Sequence, residues 1–168
     1  NGALMQPGIF TSTSWVYNEM GQATDQNQIE ALKWYRDAEI KTDWHWMDAG
    51  WYFINGLTSI TDWGWQTGSW EVDTKRFPSE FRAISEYAAQ EGTRTLLWFE
   101  PERVQPDTFL WDTPWCLEIP GAGSKLADFG NPDFRQWLLK RVTSVLTRGG
   151  ISLYRQDFNI DPLSFWKR

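Results

Sequence analysis

The chain has one cysteine, one histidine and no apolar run near the roughly 18 residues that a membrane span needs. With Cys116 alone there is no internal disulfide framework and no cysteine-built metal site. With His45 alone there is no His-rich metal site either. Basic charge is also scarce, 16 Lys and Arg against 22 Asp and Glu for a net charge of -6, which argues against nucleic-acid partners and anionic membrane surfaces. No charged-then-apolar signal segment opens the chain. Asn1 stands where an initiator Met would, so the start reads as a cut from something longer and cellular location is not read from it. The 168 residues give room for one domain of ordinary size with a sizeable core.

What the chain has in excess is tryptophan, 13 in all, and that invites a carbohydrate reading. Indole faces stack on the apolar faces of pyranose rings and indole N–H groups bond hydroxyls. Core packing is the competing use, and Trp34 and Trp137, at helical spacing, are expected to serve it.

A β-prone run, Ile9 to Trp15, is followed by a polar loop from Val16 to Gln22. Thr24 then reads as an N-cap with a capping-box partner, opening a helix that carries Ile29, Leu32, Ala38 and Ile40 on one face. Thr42 to Asp48 is a second strand and Tyr52 to Pro78 a long aromatic loop with Trp63, Trp65 and Trp70. Ser79 is expected to cap a second helix that Gly92 ends near Gln90. Thr95 to Phe99 forms a third strand, closing on Glu100-Pro-Glu-Arg103. A second long loop, Val104 to Gly130, leads to Asn131-Pro132, an N-cap followed by Pro at the first helical position. That helix turns Phe134, Leu138, Val142 and Val145 inward and stops at Gly149-Gly150. A fourth strand, read as buried, follows from Ile151 and ends in Arg155, Asp157 and Asn159.

Long loops after strands and short turns after helices are the signature of parallel βα units, whose sites lie at the strand C-termini. Alternation puts Trp44, Trp46 and Asp48 on one face, then Leu96, Trp98 and Glu100, then Leu153, Arg155 and Asp157. Each strand thus ends in a carboxylate on the face of a large or charged residue. One such Arg–Asp pair fits a structural ion pair as well as a site; three converging strand ends suggest an active-site mouth. Four strands do not close a barrel that takes eight strands and about 250 residues. The fold class expected is therefore α/β, either an open sheet or a partial TIM (β/α)8 barrel of about four parallel strands with alternating helices.

Four segments occur in register with those strands: Trp46-Met-Asp-Ala-Gly-Trp-Tyr52, Leu97-Trp-Phe-Glu-Pro-Glu-Arg-Val104, Asp128-Phe-Gly-Asn-Pro132 and Tyr154-Arg-Gln-Asp-Phe-Asn159. Together they resemble the catalytic barrel of glycoside hydrolase family 36, the melibiase or α-galactosidase-like enzymes, from about Trp15 to the C-terminus. The resemblance implies that residues 1–168 are the N-terminal half of a glycosidase-type (β/α)8 barrel with no second domain. It implies a retaining α-glycosidase, α-galactosidase-like, acting on an oligosaccharide or glycoside without a cofactor or metal. Asp157 stands at the nucleophile of the family's Lys-Trp-Asp-Met-Asn motif, Arg155 at its lysine and Asn159 at its hydroxyl-binding asparagine. Trp98 matches a residue lining the sugar subsite, Asp48 a hydroxyl-binding aspartate, and Trp15 and Trp51 weaker sugar-facing positions. A homo-oligomer is left open for the full-length protein.

Departures from the motifs fall at Ala49, where the family has a second aspartate, at Arg155 for lysine and at Gln156 for tryptophan. Ala122 or Gly123 stands near a frequent arginine. These bear on galactose specificity more than on glycosidase chemistry. The family's general acid lies on a later strand, beyond Arg168, while Asp48 and Glu100 match binding and scaffold positions. The isolated chain is thus expected to be poorly active or inactive. Two other readings stay open: a sugar-binding protein that has lost catalysis, and a metal-dependent hydrolase on Asp48, Glu100, Glu102 and Asp157. The interleaved Trp residues and Arg155 disfavour the latter. His45 is expected behind the sheet, Cys116 as an apolar filler, and Glu102 and Arg103 as supports of the loop after the third strand. Trp63, Trp65 and Trp70 either frame further subsites or cover the rim.

Overall fold

The computed structural model describes residues 8–53 and 66–167, which leaves Trp63 and Trp65 outside the described residues. The central sheet has four parallel strands: β1 (Phe10–Ser12), β2 (Trp44–Met47), β3 (Arg94–Phe99) and β7 (Leu153–Gln156), in the order β1-β2-β3-β7. Their neighbours in space are their neighbours in chain order, joined by α1 (Asp25–Asp37), α2 (Arg82–Gln90) and α3 (Pro132–Gly149). This is the expected βα succession, four strands of a partial barrel.

Local chemistry sets the helix boundaries. Thr24 accepts from the Asn27 amide while Asn27 returns a bond to Thr24, a reciprocal box that satisfies two otherwise orphan donors. The helix stops at Asp37 and Glu39 turns left-handed at φ 57°, so Ile40 leaves the helical face and is 49% exposed. Trp34 is 51% exposed as well, a correction to its expected place in the core. In α3, the Asn131 side chain accepts from the Asp133 and Phe134 amides, Pro132 occupies the first turn, and Gly150 at φ 65° closes the end. Phe134, Leu138 and Val145 are buried as expected. The α2 start differs from expectation. Phe81, left-handed at φ 73°, takes the cap position without a side-chain bond, while the Ser79 hydroxyl accepts from the Ala83 amide. Phe81 is fully buried, so packing against Phe77 and Trp51 outweighs the strain of its backbone.

Two further differences stand out. The segment expected as a loop after β3 holds a small antiparallel sheet of β4 (Arg103–Val104), β5 (Cys116–Leu117) and β6 (Lys125–Ala127), ordered β4-β6-β5. Strands of two or three residues are too short to display an alternating pattern. A four-residue helix, α4 (Leu163–Trp166), follows β7. β7 itself is half-buried to exposed rather than buried, because among the described residues it pairs on one side only, with β3.

The core between sheet and helices is aromatic. Trp51 meets Tyr52, Trp70, Phe81 and Phe99 with ring centroids 5.1–6.1 Å apart, mostly edge-to-face. Behind the sheet, His45 is fully buried with Nε2 2.9 Å from Gln28 Oε1, and burial lowers its pKa to about 4.

Candidate active site

Three of the four central strands give way to a carboxylate one residue beyond their last residue: Asp48 after β2, Glu100 after β3 and Asp157 after β7. Parallel register brings these ends to one rim of the sheet. The Asp157 amide donates to Phe99 O at 2.8 Å, so the backbone carrying the carboxylate is an extension of the β3–β7 ladder.

The Asp157 side chain is held by several donors. The Trp98 indole N–H donates to Oδ2 at 2.9 Å and the Phe158 amide to Oδ1 at 2.9 Å. Arg155 places Nη1 3.2 Å from Oδ2 and stacks its guanidinium 4.7 Å from the centroid of Trp46, across the inner face of the sheet. Burial pushes the Asp157 carboxyl up, but the bonds from Trp98, Phe158 and Asn159 together with the charge of Arg155 outweigh it and hold its pKa below the ordinary value. The carboxylate is ionised at neutral pH and a third exposed, a state in which a carboxylate is able to attack a ligand.

Glu100 is the hidden brace of this site. It is fully buried, accepts from Arg103 Nη2 at 2.7 Å and takes both the backbone amide (3.1 Å) and the side-chain amide (3.2 Å) of Asn159. Burial raises its pKa, opposed by Arg103 and Asn159. Asn159, expected as a hydroxyl ligand, is thereby tied to the end of β3 as well as bonded to Asp157. Glu102 does for Gln156 what Glu100 does for Asn159: it accepts a short bond from the Gln156 amide, which also receives the Tyr154 hydroxyl at 3.1 Å. Burial raises the Glu102 pKa too.

Asp48 forms the other side of the rim. Its Oδ2 accepts from the Ser14 hydroxyl at 2.7 Å and its Oδ1 from the Ala49 amide at 2.8 Å. Gly50, at φ 92°, supplies the left-handed turn that sends Trp51 inward. Trp15, one residue from Ser14, is 97% exposed. Between these sides Trp46 keeps a buried indole N–H with no partner among the described residues.

Two residues expected to face the sugar are buried in this structure. Trp51 is fully buried and donates its indole N–H to Trp98 O at 2.9 Å, so it is a beam under the site and offers a ligand no face. Trp98 is 1% exposed and stands behind Asp157 as its hydrogen-bond donor. The structure brings Asp157, Arg155, Trp98 and Asn159 into one connected cluster and ties Asp48, at the end of β2, through Ser14 to the turn that carries Trp15. Sequence reasoning missed Glu19, whose carboxyl meets that of Asp48. No local pattern announces a turn residue that reaches a strand end 29 positions later.

The melibiase family profile matches residues 17–162, most of the chain. The chain belongs to the melibiase family. Among curated proteins it is similar to the α-galactosidase AgaA of Geobacillus stearothermophilus, 25% identical over 100 residues that cover 55% of this chain and 14% of AgaA. An α-galactosidase of Lactobacillus acidophilus is likewise 25% identical over 101 residues, covering 55% of this chain and 14% of that protein. These matches thus span about one-seventh of the relatives' length. Among solved structures, the family 36 α-galactosidase AgaB of G. stearothermophilus superposes with a TM-score of 0.75 at 19% identity, over 91% of this chain and 21% of AgaB. A substituted AgaA in complex with stachyose gives 0.71 at 17% identity, over 89% of this chain and 21% of that one. The melibiase sheet described above therefore has the strand arrangement of family 36 barrels.

Proposed function

We propose that this melibiase-family chain is the N-terminal half of the barrel of a retaining α-glycosidase, α-galactosidase-like, with Asp157 as nucleophile. The observation that carries the reading is the environment of Asp157: an ionised, partly exposed carboxylate at a strand C-terminus, held by Trp98, Phe158, Asn159 and Arg155. An Asp157 oxygen attacks the anomeric carbon from the face opposite the aglycone, the bond to the aglycone oxygen breaks, and that oxygen takes a proton from a general acid. Water then attacks the glycosyl-enzyme, giving its proton to the acid deprotonated in the first step, which releases the sugar with its configuration retained and restores the Asp157 carboxylate. Arg155 binds hydroxyls beside Asp157, and Asp48 with Trp15 forms the other wall of the sugar site. The pair of carboxyls must stand roughly 5 Å apart across the bond, and we assign the acid to the part of the barrel that follows this chain. Relatives captured with stachyose and raffinose support an α-galactosyl oligosaccharide as substrate.

The test is covalent trapping in the full-length protein with activated fluorosugars of the α-galacto and α-gluco series, followed by digestion and peptide mass mapping. A sugar adduct on the Asp157 peptide, absent in Asp157→Asn, establishes nucleophile and sugar preference together. A folded protein that binds glycans but yields no adduct with either series overturns the catalytic reading in favour of a binding protein.

A further inference from the structure

The turn between β1 and α1 is tied to the end of β2 at two points and closed on itself at a third. The Ser14 hydroxyl donates to Asp48 at 2.7 Å, the Met20 amide donates to Ala49 O at 2.6 Å, and the Glu19 amide donates to Ser14 O at 2.8 Å. Asn18 and Glu19 are both left-handed, at φ 46° and 55°, a conformation that non-glycine residues hold only when their surroundings fix it. Here that conformation delivers the Glu19 carboxyl into hydrogen-bond contact with the Asp48 carboxyl. The site already described lies alongside: Asp48 is two residues from Trp46, on the strand face that Arg155 covers from β7. The indole of Trp15, on the same turn as Glu19, is left 97% exposed.

We infer that Glu19 is a specificity-determining residue of the sugar site, forming with Asp48 a two-carboxyl clamp for a pair of neighbouring sugar hydroxyls, with the exposed Trp15 ring on the same turn. This rests on the glycosidase reading above. The chemistry is that of a vicinal diol. Two hydroxyls on adjacent ring carbons lie close enough to reach two carboxyl groups in contact, each donating to one oxygen. Asp48 alone has committed Oδ1 to the Ala49 amide and Oδ2 to Ser14, so a second carboxyl enlarges what it can accept. Ala49, with its methyl group buried, contributes no polar atom from its side chain. Burial, then the charge of Asp48 and the bond to it, raise the Glu19 pKa to about 7, so Glu19 carries a proton about half the time near neutrality. A shared proton lets the clamp both donate and accept, which suits hydroxyls that do the same.

The experiment uses the full-length protein with p-nitrophenyl α-galactoside and its monodeoxy analogues, on wild type, Glu19→Ala and Glu19→Gln, with folding checked by thermal melting. Glu19→Ala is expected to raise KM about tenfold with a smaller change in kcat, and Glu19→Gln, which keeps polar atoms in place, to recover part of the loss. The deciding readout is a pairing between residue and hydroxyl. Removing one particular hydroxyl costs the wild type tenfold or more in kcat/KM and costs Glu19→Ala no more than about twofold. Equal deoxy penalties in wild type and both variants overturn the proposal, because a merely structural Glu19 weakens every analogue alike. If Glu19→Ala does not fold, the same comparison on Glu19→Gln decides. Trapping at Asp157 is scored separately in each variant: an adduct that persists while the deoxy pattern stays flat removes Glu19 and leaves the glycosidase reading standing. No adduct in the wild type removes that reading first.

Discussion

Replacing Trp98 with Phe probes how the site keeps Asp157 ionised. The substitution removes the indole N–H that donates to Asp157 Oδ2 at 2.9 Å and leaves the Trp98 carbonyl, which accepts from Trp51, in place. A hydrogen bond to a charged group is worth about 1.5–3 kcal/mol. Asp157 is 35% exposed, so solvent recovers part of the loss and about 1 kcal/mol is the reasonable figure. That is roughly fivefold in the ionisation equilibrium. The sign follows from which form the bond favours. Trp98 stabilises the carboxylate, so its loss raises the Asp157 pKa and moves the acid limb of kcat/KM toward higher pH. The assay is the pH profile of the full-length variant on an activated α-galactoside, with a melting curve as control, because the ring also packs 6.2 Å from Trp70. A folded variant whose acid limb coincides with that of the wild type refutes the argument that Trp98 tunes this carboxylate.

Other predictions concern the frame. Arg76 pairs with Asp73 at 2.7 Å and donates to Met20 O, Gly50 O and Tyr52 O while largely buried, so Arg76→Ala is expected to cost about 3 kcal/mol in denaturant unfolding; a loss below about 1 kcal/mol contradicts that. His45 is buried neutral with a pKa near 4, below its unfolded value. Its contribution is therefore complete above about pH 6.5 and is lost as pH falls toward 4, by at most about 3 kcal/mol. Urea midpoints should fall across that window more steeply in wild type than in His45→Asn. Arg155→Lys keeps the charge but not the planar stack on Trp46, so roughly tenfold lower kcat/KM is expected; unchanged kinetics would show that charge alone suffices.

Much of this molecule is legible before any coordinates. Period-2 alternation placed Trp46 with Asp48, Trp98 with Glu100 and Arg155 with Asp157, and those pairs frame the rim. The caps at Thr24 and Asn131 were equally plain, because capping chemistry is local. What escaped depends on long-range packing. Trp51 and Trp98 have the composition of sugar-stacking residues, and only the tertiary arrangement assigns their N–H groups to a carbonyl and a carboxylate. Phe81 was hidden behind Ser79, since core packing overrode the better capping residue. The small β4-β6-β5 sheet is held by four residue pairs that leave no periodic trace. Glu19 was invisible because its meaning lies in a partner on another strand.

The spatial order of the parallel sheet, β1-β2-β3-β7, is also the order in which a ribosome makes it. Each new strand finds its predecessor already available as a template, and no strand must wait for a later one to be inserted between two earlier ones. Such a sheet can accrete stepwise during synthesis, with the loop-closure cost met one βα unit at a time. At every step the newest strand offers an unpaired edge, as β7 does among the described residues, with Leu153 39% exposed. An edge of that kind captures the next strand when one follows and captures a neighbouring copy when none does. Soluble expression should therefore depend on where the polypeptide is cut.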